Sequence, residues 1–66
     1  MSSRRFAVRL KELRESRGLT QERLAKKVGI SRGYLARLEM GRHDPPLSRL
    51  RKLAKALGVP VTELLA

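Results

Sequence analysis

The chain contains no cysteine, which excludes disulfide staples, thiolate metal sites and cysteine nucleophiles together. Its single histidine, His43, cannot build a multi-ligand metal site alone, and the Ser and Thr residues have no other histidine to act as their base. No uninterrupted apolar run exceeds three residues, as at Val59 to Val61, against the roughly 20 that cross a bilayer. The opening Met1-Ser2-Ser3-Arg4-Arg5-Phe6 lacks an apolar stretch of signal-peptide length. The expectation is a soluble, cytoplasmic protein with no membrane partner, no metal and no cofactor. Acidic residues are also scarce, 6 Asp plus Glu against 16 Lys plus Arg. So few carboxylates among so many cations balance charge rather than form an acid/base pair, and no enzyme is expected.

What is present is charge and regular apolar spacing. The 66 residues carry a formal net charge of +10 and are read as one domain, 1–66. A fold of this size hides about 60% of the surface its unfolded chain exposes, so it has a compact core and no room for a deep catalytic cleft. Apolar residues make up 41% of the chain and recur at fixed intervals, which separates it from disordered chains of high charge. The excess charge therefore describes partners, because a positive field of this density gathers polyanions. Nucleic acid comes first and an anionic membrane second; a membrane-active peptide fits poorly, since the apolar residues are distributed to close a core. Of the 16 cations 11 are Arg, whose planar fork makes paired hydrogen bonds to phosphate or guanine where Lys acts as a point charge.

The apolar spacing predicts five helices and no strand, with no internal repeat and no low-complexity linker. Phe6, Leu10 and Leu13 place the first helix at Phe6 to Arg17, stopped by Gly18. Thr20 caps a second helix, Gln21 to Val28, with Leu24, Ala25 and Val28 inward and Gly29 at its end. Ser31 caps a third, Arg32 to Met40, with Leu35 and Leu38 on one side and Gly41 beyond. Arg42-His43-Asp44-Pro45-Pro46 is a loop, because neither proline can donate a backbone hydrogen bond. Leu47, Leu50, Leu53, Ala54 and Leu57 carry the fourth helix to Gly58. Val59 to Ala66 form a turn and a last short helix, with Leu64 and Leu65 expected in the core.

Only Gly29-Ile30-Ser31 separates the second and third helices. A pair crossing at about 90–120° over so short a joint is a helix-turn-helix unit, whose second helix can enter a DNA major groove. At about 100° per residue, Tyr34, Leu35 and Leu38 occupy one half of the third helix, and Arg32, Gly33, Ala36 and Arg37 the other. Arg32 and Arg37 are the expected base readers, suited to the O6 and N7 acceptors of guanine; the alternative is a solvated helix face. Gln21 can meet a phosphate beside free backbone N–H groups, or be ordinary surface. Ser31 at the joint and Tyr34 join the phosphate set, although the stronger reading of Tyr34 is a ring that covers the core edge with its hydroxyl at the rim. Arg42 and His43 can reach the backbone of the same half-site, with loop solvation as the alternative. Arg49, Arg51, Lys52 and Lys55 are assigned only a general electrostatic role.

Gly18-Leu19-Thr20-Gln21-Glu22-Arg23-Leu24-Ala25-Lys26-Lys27-Val28-Gly29-Ile30-Ser31-Arg32, followed by Leu38-Glu39-Met40-Gly41-Arg42, resembles the Xre family of helix-turn-helix regulators, which includes the lambdoid phage repressors and Cro proteins. The resemblance continues through Pro45-Pro46-Leu47 and Leu53-Ala54-Lys55-Ala56-Leu57-Gly58-Val59. It implies an all-α, compact five-helix lambda-repressor-like domain that binds operator DNA, commonly as a two-fold dimer on a palindromic site. Carried over by position, Gln21 matches a phosphate-clamping glutamine, and Arg32, Gly33 and Arg37 match base-contacting positions. Arg14 and Glu39 match a pair that forms a salt bridge between the first and third helices. Val59, Val61 and Leu65 are candidates for the dimer contact by the same analogy, with ordinary core as the other role. Two departures stand out: Gly33 has no side chain where relatives often read bases, and Pro46 replaces a frequent Ser or Thr cap.

The expectation is a sequence-specific double-stranded DNA-binding transcriptional regulator, a repressor acting as a homodimer and touching polymerase if it recruits rather than blocks. An antitoxin that binds a protein toxin and regulates its own promoter is the alternative.

Overall fold

The computed structural model describes residues 3–65. Met1, Ser2 and Ala66, the ends of the expected 1–66 domain, lie outside the described residues. Five helices follow in order, α1 (Ser3–Ser16), α2 (Gln21–Val28), α3 (Arg32–Glu39), α4 (Leu47–Leu57) and α5 (Val61–Leu65), with no strand among the described residues. α1 packs on α3 and α5, α2 on α3 and α4, and α4 on α5. The five helices thus close a ring around one core, in a body 25 × 22 × 21 Å across.

The core is the apolar stripe of each helix turned inward. Phe6, Leu10, Leu24, Leu35, Leu38, Leu53, Leu57 and Leu64 are fully buried, so every helix contributes at least one large side chain. Burying a leucine or phenylalanine stabilises by about 1.5–3 kcal/mol each, which is what allows helices of eight residues or fewer to persist, since alone they would melt. The expected core position of Leu65 is not found: it is 42% exposed while Leu64 is buried. Successive helical residues differ by about 100° in direction, so a single turn resting on the core buries one of the two leucines and turns the other outward.

Local chemistry sets most of the helix ends. The Thr20 hydroxyl accepts from Arg23 N at 3.1 Å, and the Ser31 hydroxyl accepts from Tyr34 N at 3.0 Å, each satisfying an otherwise orphaned N–H. Gly29 closes α2 at φ 79°, a left-handed geometry that side chains with a Cβ rarely adopt. α3 stops at Glu39 with Met40 as its C-cap, one residue short of the expected end. α4 begins after Pro46, which offers no side-chain cap; its carbonyl instead accepts from Arg49 N and Leu50 N.

α1 starts three residues earlier than its apolar spacing predicts. The reason is tertiary. Ser3 Oγ donates to Asp44 Oδ1 at 2.6 Å, and Gly41 lies so close to Arg4 that a Cβ there would sit 3.4 Å from Arg4 Cα. The α3–α4 loop is folded against the start of α1, where Asp44 brings a negative charge to a helix with no acid of its own in the first turn, the favoured sign at that end.

Candidate nucleic-acid interface

The joint at Gly29-Ile30-Ser31 swings α3 away from α2, and Ile30 packs against the core at the corner. Leu35 and Leu38 are buried to 0% exposure. They fix the roll of α3 about its axis, so Arg32, Gly33 and Arg37 are all exposed and Ala36 is half-buried at the edge of the same face. Neither the Arg32 nor the Arg37 side chain has a hydrogen bond or ion pair among the described residues. Two guanidinium forks thus stand on an open surface with their donors unspent, the state suited to paired acceptors on a base edge or a phosphate.

The far end of α3 is locked from beneath. Arg14 Nε donates to Glu39 Oε2 at 2.6 Å and Arg14 Nη2 to Glu39 Oε1 at 3.1 Å, while Arg14 Nη1 donates to the Leu19 carbonyl at 2.7 Å. Their side chains are 9% and 3% exposed, so the pair forms where water cannot replace either partner. The hydrogen bonds that Arg14 donates to Glu39 hold the Arg14 pKa above its ordinary value against the opposing effect of burial, with the charges of Glu39 and Glu15 adding to it. The folded guanidinium keeps its proton more tightly than the unfolded one, so its stabilising contribution persists through neutral pH and is lost only in strong alkali. The salt bridge expected between Arg14 and Glu39 is therefore present, and it joins α1 to the last residue of α3.

Gln21 enters the same network. Its Nε2 donates to Glu39 Oε1 at 3.0 Å, which fixes the side chain at the start of α2 and leaves the second N–H of the amide for another acceptor. Ser31 spends its acceptor on the α3 cap and retains its O–H as a donor. The other expected phosphate contacts divide. Tyr34 and His43 come together, ring centroids 6.1 Å apart and tilted by 30°. Arg42 is exposed beside them in sequence, its backbone N–H bonded to the Arg37 carbonyl at 3.1 Å.

Arg49 belongs with this group, a position that sequence reasoning assigned only a general electrostatic role. Its Cζ lies 4.8 Å from the centre of the Tyr34 ring, a cation–π contact of about 0.5–1 kcal/mol at an exposed site. The signal available beforehand was an arginine in the first turn of α4 outside the Leu50 stripe, but its approach to Tyr34 depends on how the Pro45-Pro46 loop returns. Pro45 is buried, and it anchors that return.

A family model described as Helix-turn-helix matches residues 10–64. The immunity repressor protein of Bacillus phage phi105 is 46% identical over 56 residues, covering 85% of this chain and 39% of that protein. The chain thus spans well under half of that relative. An uncharacterized HTH-type transcriptional regulator, y4dJ of Sinorhizobium fredii, is 48% identical over 52 residues, covering 79% of this chain and 68% of its own. Among solved structures, the restriction-modification controller protein C.AhdI from Aeromonas hydrophila superposes with a TM-score of 0.91 at 40% identity, covering 94% of each chain. SinR, a master regulator for biofilm formation solved in complex with DNA, superposes with a TM-score of 0.88 at 31% identity, covering 92% of this chain and 98% of its own. Sequence pattern, fold and likeness agree: the chain belongs to the helix-turn-helix family, in its lambda-repressor-like, five-helix form.

Proposed function

We propose that this protein is a sequence-specific double-stranded DNA-binding transcriptional regulator that represses by occupying an operator in the cytoplasm, with residues 1–66 as its DNA-binding domain. One observation carries the reading: an α3 whose inner half is bolted to the core while its outer half offers Arg32 and Arg37 unpaired on either side of two small residues, Gly33 and Ala36. In the major groove the forks of Arg32 and Arg37 take the O6 and N7 acceptors of guanine, and each good bidentate pair supplies about 1–3 kcal/mol of discrimination. Gln21, Ser31, Tyr34, Arg42 and His43 hold the flanking phosphates, which set register rather than sequence. Arg49 steadies Tyr34 from the α4 side and adds charge to the same backbone contact. The family likeness, and a DNA complex among the similar structures, support this assignment.

A single α3 covers only a few base pairs. Two copies related by a two-fold axis, with α3 helices about 34–36 Å apart, supply the remaining specificity on a palindromic site. Exposed Leu65 and half-buried Val59 and Val61 form the apolar surface proposed for that contact. Selection of bound duplexes from a random pool tests binding, symmetry and base preference together. A palindromic motif with guanine in each half is expected; an enriched pool without a shared motif, or no retention of duplex DNA, would overturn the proposal. Raising the salt concentration should lower log affinity linearly in log salt, with a slope of about −0.9 per neutralised phosphate.

A further inference from the structure

Gly33 is out of place by the rules that explain the other glycines. Gly18, Gly29, Gly41 and Gly58 all lie at positive φ, where a side chain is strained. Gly33 is not among them; it sits inside α3, in the backbone conformation that any residue adopts, and glycine is among the poorest helix formers. Packing does not demand it either, because it is exposed and no buried group lies against it. The one neighbour is informative. A methyl group on Gly33 would meet Arg37 Nη1 at 3.6 Å, and beyond its chain neighbours and the backbone of α3 itself no other atom would lie within 4 Å.

Arg37 therefore leans one turn back along α3, the direction helical side chains favour, and lays its guanidinium over the bare backbone of Gly33. That is an uncomfortable place for a cation. The first N–H groups of a helix have no intrahelical acceptor and carry partial positive charge, and α3 has no acid in its first turn to offset it. Arg37 has no carboxylate partner among the described residues. The fork waits near the N-terminal end of α3, beside Arg32, for an acceptor-rich surface.

We infer that Gly33 is a positioning residue for base readout: its missing side chain leaves the track along which Arg37 reaches the bases at the N-terminal end of α3. The inference rests on the DNA-binding reading above and adds to it that Gly33 acts through Arg37 rather than through a contact of its own. A Cβ alone touches the guanidinium at ordinary van der Waals distance, whereas γ atoms fill the track. The effect should be graded by side-chain size.

The test uses the duplex selected by the wild-type chain and a variant duplex with the guanine replaced, and reads the affinity ratio between the two. Arg37→Ala should reduce that ratio by about 5- to 150-fold, the span of one bidentate base contact. Gly33→Val should reduce it to a similar extent with α3 still folded by circular dichroism, Gly33→Ala should reduce it by a smaller factor, and Gly33→Val in the Arg37→Ala background should cost nothing further. Equal losses from Gly33→Val with and without Arg37 would overturn the inference while leaving DNA binding intact, because additive effects mean independent roles. Loss of preference in Gly33→Ala as large as in Gly33→Val would also overturn it, since the bare backbone itself would then be the contact. If Arg37→Ala leaves the ratio unchanged, the base-reading assignment of Arg37 falls, and the Gly33 role falls with it.

Discussion

On the α1 side of the molecule Arg9, Arg14 and Arg17 are occupied. Arg9 pairs with Glu63 of α5, Arg14 with Glu39, and Arg17 donates to the Leu57 carbonyl at the C-terminal end of α4. Across α3 and the loop after it, Arg32, Arg37 and Arg42 face solvent with no acid partner among the described residues. Both regions draw on the same residue type. What separates them is where the few carboxylates go: Glu12, Glu15, Glu39 and Glu63 all lie within ion-pair distance of Arg9 or Arg14. The scarce acid is spent holding helices together, and Arg32, Arg37 and Arg42 are left without it on the surface that α3 and its following loop present.

If that division is real, substitutions on the first side should change stability and substitutions on the second should change DNA affinity. The largest effect is expected for Glu39→Ala, which leaves Arg14 buried without its anion and costs about 3–5 kcal/mol in urea denaturation. A loss below 1 kcal/mol, on the order of a surface pair, would place Glu39 among ordinary surface acids. Arg37→Ala should do the reverse, weakening the preferred duplex by about 1–3 kcal/mol in a binding titration while the melting temperature stays put. Equal weakening on random DNA would remove Arg37 from base readout.

Ser31→Ala tests the hinge between the regions. It removes the cap of α3 and should cost about 1 kcal/mol of stability, visible as a lower melting temperature. Arg42→Ala should reduce affinity by one factor on every duplex and make the salt slope shallower by about 0.9, the mark of one phosphate contact; a loss confined to one operator would reassign it to readout. The smallest effect belongs to Arg9→Ala. Its partner Glu63 is 46% exposed, so about 0.2–1 kcal/mol of stability is at stake, and an unchanged salt slope for DNA binding is expected.

The sequence by itself determined the elements whose causes are local. A hydroxyl at Thr20 or Ser31 acts on an N–H three residues on, Gly29 acts on its own φ, and the apolar spacing of α2, α3 and α4 repeats within a turn or two, so these features are written in adjacent letters. For the same reason the exposed half of α3, with Arg32 and Arg37, was legible from Leu35 and Leu38 alone. The tertiary structure decided everything that depends on where separated segments meet. The early start of α1 waits on Asp44 of a distant loop, Arg49 meets Tyr34 through the return of the loop that carries buried Pro45, and Gln21 bonds to Glu39 because α2 and α3 cross where they do. Leu65 faces outward because only one side of the final turn rests on the core. Such contacts link residues far apart in the chain, and their distances are set by the packing of the whole ring of helices rather than by any short stretch of sequence.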